Sequence, residues 1–216
     1  MTNQKKQIIQ EPKIPPVLQE IEINTLLHQE YYIQAYQIHD CTIDVEIEET
    51  VFFDKIIFKN VTFGVNNFRN VEFTDVILEN CDLSNVDFSD AIFHRVKFLN
   101  CKLIGANLSG ATLRNVVMEE CVGKYLSFGY SDCKQVRFQH CLLDHADFYE
   151  GKLVKMEFAT CSLNEANFAG IELNGLDISS CSFDRIDISI EKIQGCIVSK
   201  EQAVGFAKAL GLVIND

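Results

Sequence analysis

The chain has 216 residues, nine of them cysteine, and a formal net charge of −12 at pH 7. That acidity argues against direct binding to nucleic acid or to an anionic membrane surface. No apolar run approaches the roughly eighteen residues of a membrane span, and the length fits one domain.

Residues 1–20 are polar and broken by Pro12, Pro15 and Pro16. They lack the apolar core of a signal peptide, which points to the cytoplasm, and they offer so little to bury that a mobile segment is expected. From Ile21 to Cys41 apolar residues thicken, with Leu26, Leu27, Tyr31, Tyr32, Ile33 and Tyr36. Residues 21–50 read as an N-terminal cap, because an uncovered end would expose strand edges to further stacking. Glu46 and Glu48 fall on nominally inward positions of the pattern that follows. Two unpaired buried carboxylates would be too costly, so the backbone is expected to leave the regular path there.

From Val51 to Val198 a five-residue beat runs without insertion. A large apolar residue occupies every fifth position (Phe88, Phe93, Phe98, Leu103, Leu108, Leu113). Two residues before each sits a small or β-branched one (Val86, Ala91, Val96, Cys101, Ala106, Ala111). On an α-helix a step of five advances about 140°, which smears the apolar residues around the circumference. On a strand an odd step sends successive residues to opposite faces. Within one unit, however, the two apolar residues are two apart and share a face. A two-position strand followed by a corner, repeated, keeps both pointing inward.

Cysteines twenty apart (Cys81, Cys101, Cys121, Cys141, Cys161, Cys181) supply the second period. Four units therefore close one coil, and the next coil stacks about 4.8 Å above it. The expected fold is an all-β solenoid, a four-sided right-handed parallel β-helix over residues 51–198 with a short C-terminal α-helix. One coil carries three undersized inward residues, Gly123, Ser131 and Cys133, with Gly151 in the next. A pinch, a bend and a small pocket all fit that pattern.

Ser199 followed by Gln202 makes a capping box, and Gly211 suits the C′ position of the helix it opens. Ala203, Phe206, Ala207 and Leu210 share an apolar face, and Leu212–Ile214 reads as a short strand. So short a helix is not stable alone. Residues 199–216 are accordingly expected to form a homodimer contact through Ala203, Phe206, Ala207, Leu210, Leu212 and Ile214.

Reactive chemistry is not indicated. There is no Cys-x-x-Cys pair, and stacked sulfurs on successive coils would lie beyond the usual disulfide spacing, so the cysteines read as core filler. His140, Cys141 and His145 point in different directions by the beat, which speaks against a metal centre. Asp87 and Asp147 would lie three coils apart, about 14 Å, too far for glycoside chemistry. Neither an enzyme nor a cofactor is expected.

Sorting charge by side is more informative. The side built from units starting at positions 46, 66, 86, 106, 126, 146, 166 and 186 has eight acids and one base, Arg69. The next side has six acids and seven bases, among them Arg95, Arg114, Lys134, Lys152 and Lys155.

Five-residue words such as Ala146-Asp147-Phe148-Tyr149-Glu150 and Ala166-Asn167-Phe168-Ala169-Gly170 resemble the pentapeptide-repeat family over about residues 36–198. The tail Ser199–Ile214 is similar to the C-terminal segment of its quinolone-resistance (Qnr-type) branch, chiefly the chromosomal members from Gram-positive bacteria. That resemblance implies a dimeric rod that binds DNA gyrase and topoisomerase IV and shields them from quinolones, with mimicry of the DNA duplex as a proposed means. Gram-negative members carry loops inserted into the coils, and this chain has none. On this reading the partner surface is the acidic side, through Asp87, Asp90, Asp147, Glu150 and Asp187. A protein-interaction scaffold for another partner and a carbohydrate-active β-helix enzyme are the alternatives.

Overall fold

The computed structural model describes residues 9–45, 49–64, 67–209 and 211–214. A strand β1 (Gln19–Glu20) and a short helix α1 (Ile23–Leu27) precede the coils. Then come β2 (Tyr32–Gln34), β3 (Tyr36–His39), β4 (Thr42–Ile43), β5 (Phe52–Asp54), β6 (Ile57–Lys59) and β7 (Thr62–Phe63). Five eight-residue strands follow: β8 (Glu72–Glu79), β9 (Ile92–Leu99), β10 (Thr112–Glu119), β11 (Asp132–Gln139) and β12 (Lys152–Ala159). The chain ends with β13 (Ala166–Phe168), β14 (Ile186–Ile188) and the helix α2 (Lys200–Ala209).

From β2 onward the strands pair in parallel between residues twenty apart, as in Phe73 with Phe93 and Val116 with Val136. This is the register the cysteine column predicts, and the chain is a parallel solenoid of about eight coils. The inward positions are dry: Val96, Phe98, Cys101, Leu103, Ala106 and Leu108 are all buried. Phe128, Phe148 and Phe168 stack with ring centroids 5.0 and 4.8 Å apart. The column thiols donate weakly to backbone carbonyls, Cys101 to Leu78 O and Leu99 O at 3.4 Å each.

The corners explain why the beat is five. Every non-glycine residue with positive φ among those described carries a number divisible by five, from Ala35 to Glu165. The left-handed conformation costs an L-residue about 1–2 kcal/mol, least for Asn and not at all for Gly. Asn80, Asn85, Asn100 and Gly105 suit it; Arg95, Tyr125, Tyr130 and Thr160 hold it too. They do so because the corner amide is tied to the next coil, Asn80 N to Leu99 O and Tyr130 N to Tyr149 O, both at 2.9 Å.

The four sides are not built alike. β8 to β12 each run over two sides, the balanced one and the fourth, through a left-handed residue in mid-strand such as Asp75 or Arg95. Apart from the short ladders β4–β7 and β13–β14, the cysteine and acidic sides are held by single bridges, Asp82 to Lys102 and Asp87 to Asn107 among them. There the corners close as β-turns, with Val86 N bonded to Leu83 O and Ala91 N to Phe88 O. Positive φ at the third turn residue (Asn85, Asp90) is the type II signature.

Three expectations need correction. First, winding starts one coil earlier than Val51: β2 pairs with β5, β3 with β6 and β4 with β7. Ile33, Ile38 and Ile43 are fully buried, because they keep the five-residue beat through the supposed cap. Capping is left to α1, whose Ile23, Leu26 and Leu27 are buried and whose first amides are held by the Glu22 carboxylate. Second, residues 9–18, expected to be mobile, lie along the rod. Gln10 N donates to Asn115 Oδ1 at 3.0 Å and Lys13 N to Asp75 Oδ1 at 2.9 Å. Third, Leu212–Ile214 forms no strand and pairs with no other segment of the described residues. The expected departure at Glu46 and Glu48 lies outside the described residues.

In the undersized coil the space beside Gly123 is filled. A methyl group added at Gly123 would meet Leu126 Cδ2 at 3.0 Å and Leu143 Cδ2 at 3.1 Å, so those leucines fill the space. Cys133 is fully buried there with Ser131, and burial pushes its thiol up to about 11.

Candidate partner-binding surface

The five predicted acids do share one side, but their roles differ. Asp87 and Asp147 stand one residue before inward Phe88 and Phe148, half-buried. Their Oδ1 atoms accept from the amides of Ser89 and Tyr149, two residues on, at 3.0 Å each. This Asx geometry stabilises the corner turn. The same oxygens accept from the coil above, from Asn107 Nδ2 at 3.0 Å and Asn167 Nδ2 at 2.9 Å. Asp and Asn thus share one column, interrupted by Ser127, with one role for either in the turn and a charge only for Asp.

Asp90 is exposed and sits 3.6 Å from Arg69 NH2, while Asp187 sits 3.3 Å from Arg185 NH2. Glu150 is exposed at a left-handed corner and takes the Tyr149 hydroxyl, which raises the tyrosine pKa. Asp87, Asp147 and Glu150 have no cationic partner among the described residues. The other sides contrast with this. Arg114 pairs with Asp132 and Arg137 with Glu157 at 2.6 Å, Lys59 with Glu79 at 3.3 Å and Lys124 with Asp144 at 3.3 Å. Glu72, Glu120, Asp177 and Asp184 on those sides also have no ion pair among the described residues, but bases are interleaved with them, so net negative charge is greatest on the side the charge sorting singled out.

Aromatic rings border that side, and these the charge sorting missed. Tyr125, exposed, stacks on His145 at 4.6 Å along one corner, and Tyr130 meets Tyr149 edge-on at 5.6 Å along the other. Their signal was available: two tyrosines at corner positions, where Asn or Gly would be easier, mark an exposed aromatic pair. His145 also lies 3.4 Å from Glu165, whereas His140 occupies a different corner and Cys141 points into the core.

At the C-terminal end the capping box forms as expected, Ser199 N to Gln202 Oε1 at 2.8 Å and Gln202 N to Ser199 Oγ at 3.2 Å. Gly211 has φ +82°, and Leu212 N reaches back to Ala207 O at 3.1 Å, a Schellman closure. Gln202 was not foreseen as an anchor, yet its buried amide donates to Ile178 O and Cys181 O at 3.0 and 2.8 Å. Of the predicted dimer residues, Phe206 and Ala207 are half-buried, with Phe206 6.0 Å from Phe183. Ala203, Leu212 and Ile214 are exposed, and the Leu210 side chain lies outside the described residues. A cavity of about 460 Å³ separates the helix from the last coil at Phe183, Arg185 and Phe206. A second, of about 220 Å³, is lined by Ile186, Ile188, Ile190, Ile193 and Phe206. Among the described residues no helix is long and apolar enough to cross a membrane.

Residues 91–168 match the family profile of the pentapeptide repeat region, and residues 67–103 that of pentapeptide repeats in eight copies. The uncharacterized protein YisX of Bacillus subtilis (strain 168) is 48% identical over 206 residues, which span 95% of this chain and 97% of that protein. A trypsin-treated variant of QnrB1, a plasmid-mediated fluoroquinolone resistance protein, superposes with a TM-score of 0.50 at 18% identity. That match covers 92% of this chain and 97% of QnrB1, and at such identity it speaks to the fold alone. HetL of the cyanobacterium Nostoc sp. strain PCC 7120, a pentapeptide repeat protein involved in heterocyst differentiation regulation, aligns over 82% of this chain and 91% of HetL with a TM-score of 0.35 at 14% identity. With the twenty-residue register and the left-handed corner at every fifth position, the chain belongs to the pentapeptide-repeat family.

Proposed function

We propose that this protein binds a type II topoisomerase, DNA gyrase or topoisomerase IV, through its acidic side and shields it from quinolones. The observation that carries the reading is the segregation of charge: the acidic side sets eight acids against Arg69 alone, and its Asp87, Asp147 and Glu150 lack cationic partners among the described residues. The other sides interleave bases with their acids and pair many of them, as in Arg114 with Asp132 and Arg137 with Glu157. A DNA-binding groove is basic and shaped for a rod, so a partner for it must offer negative charge along one line. Asp87 and Asp147, three coils apart, supply charge at about 14 Å intervals, far sparser than the 1.7 Å of duplex DNA. Tyr125 and Tyr130 add exposed aromatic faces on which arginines of such a groove would stack. The likeness in fold to QnrB1 supports the same reading.

In this reading the active species is a homodimer. Leu212, Val213 and Ile214 are exposed after α2, and a two-fold contact would bury both copies.

The test is a gyrase supercoiling assay with ciprofloxacin, titrating this protein. Restored supercoiling is expected for the wild type. It should be lost in the quadruple Asp87→Asn, Asp90→Asn, Asp147→Asn, Glu150→Gln, in which Asn preserves the corner turns and only charge is removed. Changing Arg114, Lys134 and Lys152 to Glu should spare or strengthen the effect. A quadruple variant that protects as well as the wild type would refute the acidic side as the contact.

A further inference from the structure

The stretch from Ile9 to Leu18 runs along the corner between the balanced and fourth sides, the column of Ala35, Lys55, Asp75, Arg95 and Asn115. The amides of Gln10 and Lys13, three residues apart, bond to Asn115 and Asp75, which are two coils apart. Two coils rise about 9.6 Å. Three residues of polyproline II rise about 9.3 Å. Over this step an extended three-fold segment is therefore commensurate with the rod.

The side chains turned toward the rod are apolar or proline: Ile9, Pro12, Ile14, Pro15 and Leu18 are half-buried, whereas Gln10, Glu11, Lys13, Pro16 and Val17 are exposed. Toward the N-terminal coil the step lengthens: the next amide bonded at this corner is Gln19 N, to Ala35 O at 3.4 Å, six residues beyond Lys13 for two coils. Pro15 and Pro16 lie in that interval and have no N–H to leave unsatisfied.

The receiving groove is organised independently of the strap. Asp75 is buried, and its two oxygens are clamped by Arg95, Nε to Oδ1 at 2.5 Å and NH2 to Oδ2 at 2.8 Å. A bidentate guanidinium holds the carboxylate charged and aimed, so its remaining acceptor capacity is there before a peptide amide arrives. Asn115 is likewise buried, and the outward Val117 beside it is only 7% exposed.

From these preset acceptors and the segment lying on them we infer that the Asp75–Asn115 corner is a binding site for extended, proline-containing peptide segments, and that residues 9–18 occupy it in cis. The peptide offers two backbone amides three residues apart, with apolar and proline side chains packed beside them. A tethered ligand faces its site at millimolar effective concentration, so a segment from another protein gains access only when the strap is displaced. The acidic side does not border this corner, so this inference stands apart from topoisomerase binding.

The experiment uses the full chain with a specific protease site inserted after Val17, which is 81% exposed. The protein is cut and gel-filtered, and mass spectrometry records whether the cut segment leaves. A segment that stays bound supports a non-covalent site. If it leaves, a fluorescein-labelled peptide of Ile9–Val17 should bind the nicked protein saturably by anisotropy and the uncut protein at least tenfold more weakly. Asn115→Ala in the nicked protein, or serine at both Pro12 and Pro15 of the peptide, should weaken binding at least tenfold. No saturable binding to nicked protein that has lost its strap would overturn the proposal. So would equal binding by cut and uncut protein, or by a scrambled peptide.

Discussion

Replacing Phe148 by alanine tests the coil register most directly. The ring is fully buried, stacked between Phe128 and Phe168, and met edge-on by Phe138 at 6.1 Å and Phe158 at 5.7 Å. Truncating a buried phenylalanine costs about 3–5 kcal/mol, because transfer energy is lost and the cavity does not fully collapse. Four ring contacts place this site toward the upper end. For a chain of 150–250 residues each kcal/mol lowers Tm by roughly 2–4 °C, so 4 kcal/mol predicts a drop of roughly 8–16 °C. Two neighbours calibrate the effect. Asp147→Ala removes two hydrogen bonds, each worth about 0.5–1.5 kcal/mol, and should fall in between. Lys134→Ala, at an exposed position, should stay within about 0.5 kcal/mol of wild type. Thermal melts followed by circular dichroism would rank the three. Equal midpoints for Phe148→Ala and Lys134→Ala would refute the inward assignment and with it the five-residue register.

The column cysteines should resist thiol reagents in native protein, and all nine should titrate only after unfolding; rapid native labelling of Cys101, Cys121 or Cys141 would contradict their burial. Truncation after Val198 should abolish dimerisation, and a truncated protein that still sediments as a dimer would remove the tail from the interface. Docking of the strap should weaken in acid. Burial alone would raise the Asp75 pKa, but Arg95 and the Lys13 amide outweigh it and hold the carboxyl below its ordinary value. A depressed folded pKa contributes stability above the unfolded value that is lost as pH falls through the folded one. Hydrogen exchange at the Lys13 amide should therefore quicken toward acid relative to other strap amides, and this differential should vanish in Asp75→Asn. Gln202→Ala should loosen α2 from the last coil by about 1–3 kcal/mol, since Ile178 O and Cys181 O lose their buried donor; unchanged exchange protection in the helix would count against that anchor.

The direction of each core side chain was legible in the chain itself. Periods of five and twenty admit one consistent stacking, and the information is local: every unit repeats the same choice of inward pair and left-handed corner. The helix boundaries were legible for a similar reason, as Ser199, Gln202 and Gly211 act within a turn or two of themselves. Even the first coil was written in Ile33, Ile38 and Ile43, hidden only by the irregularity at Glu46 and Glu48. The tertiary structure decided what has no repeat to announce it. Residues 9–18 look unburiable alone, because their stability comes from acceptors 62 and 105 residues away on a surface that exists only once the coils have stacked. Likewise Asp87 and Asp147 carry charge in the sequence, but stacking makes each a turn-former bonded to the asparagine twenty residues on. A repeat reveals the positions it repeats, whereas a contact between a repeat and a non-repeating segment depends on spacings that only the folded rod supplies.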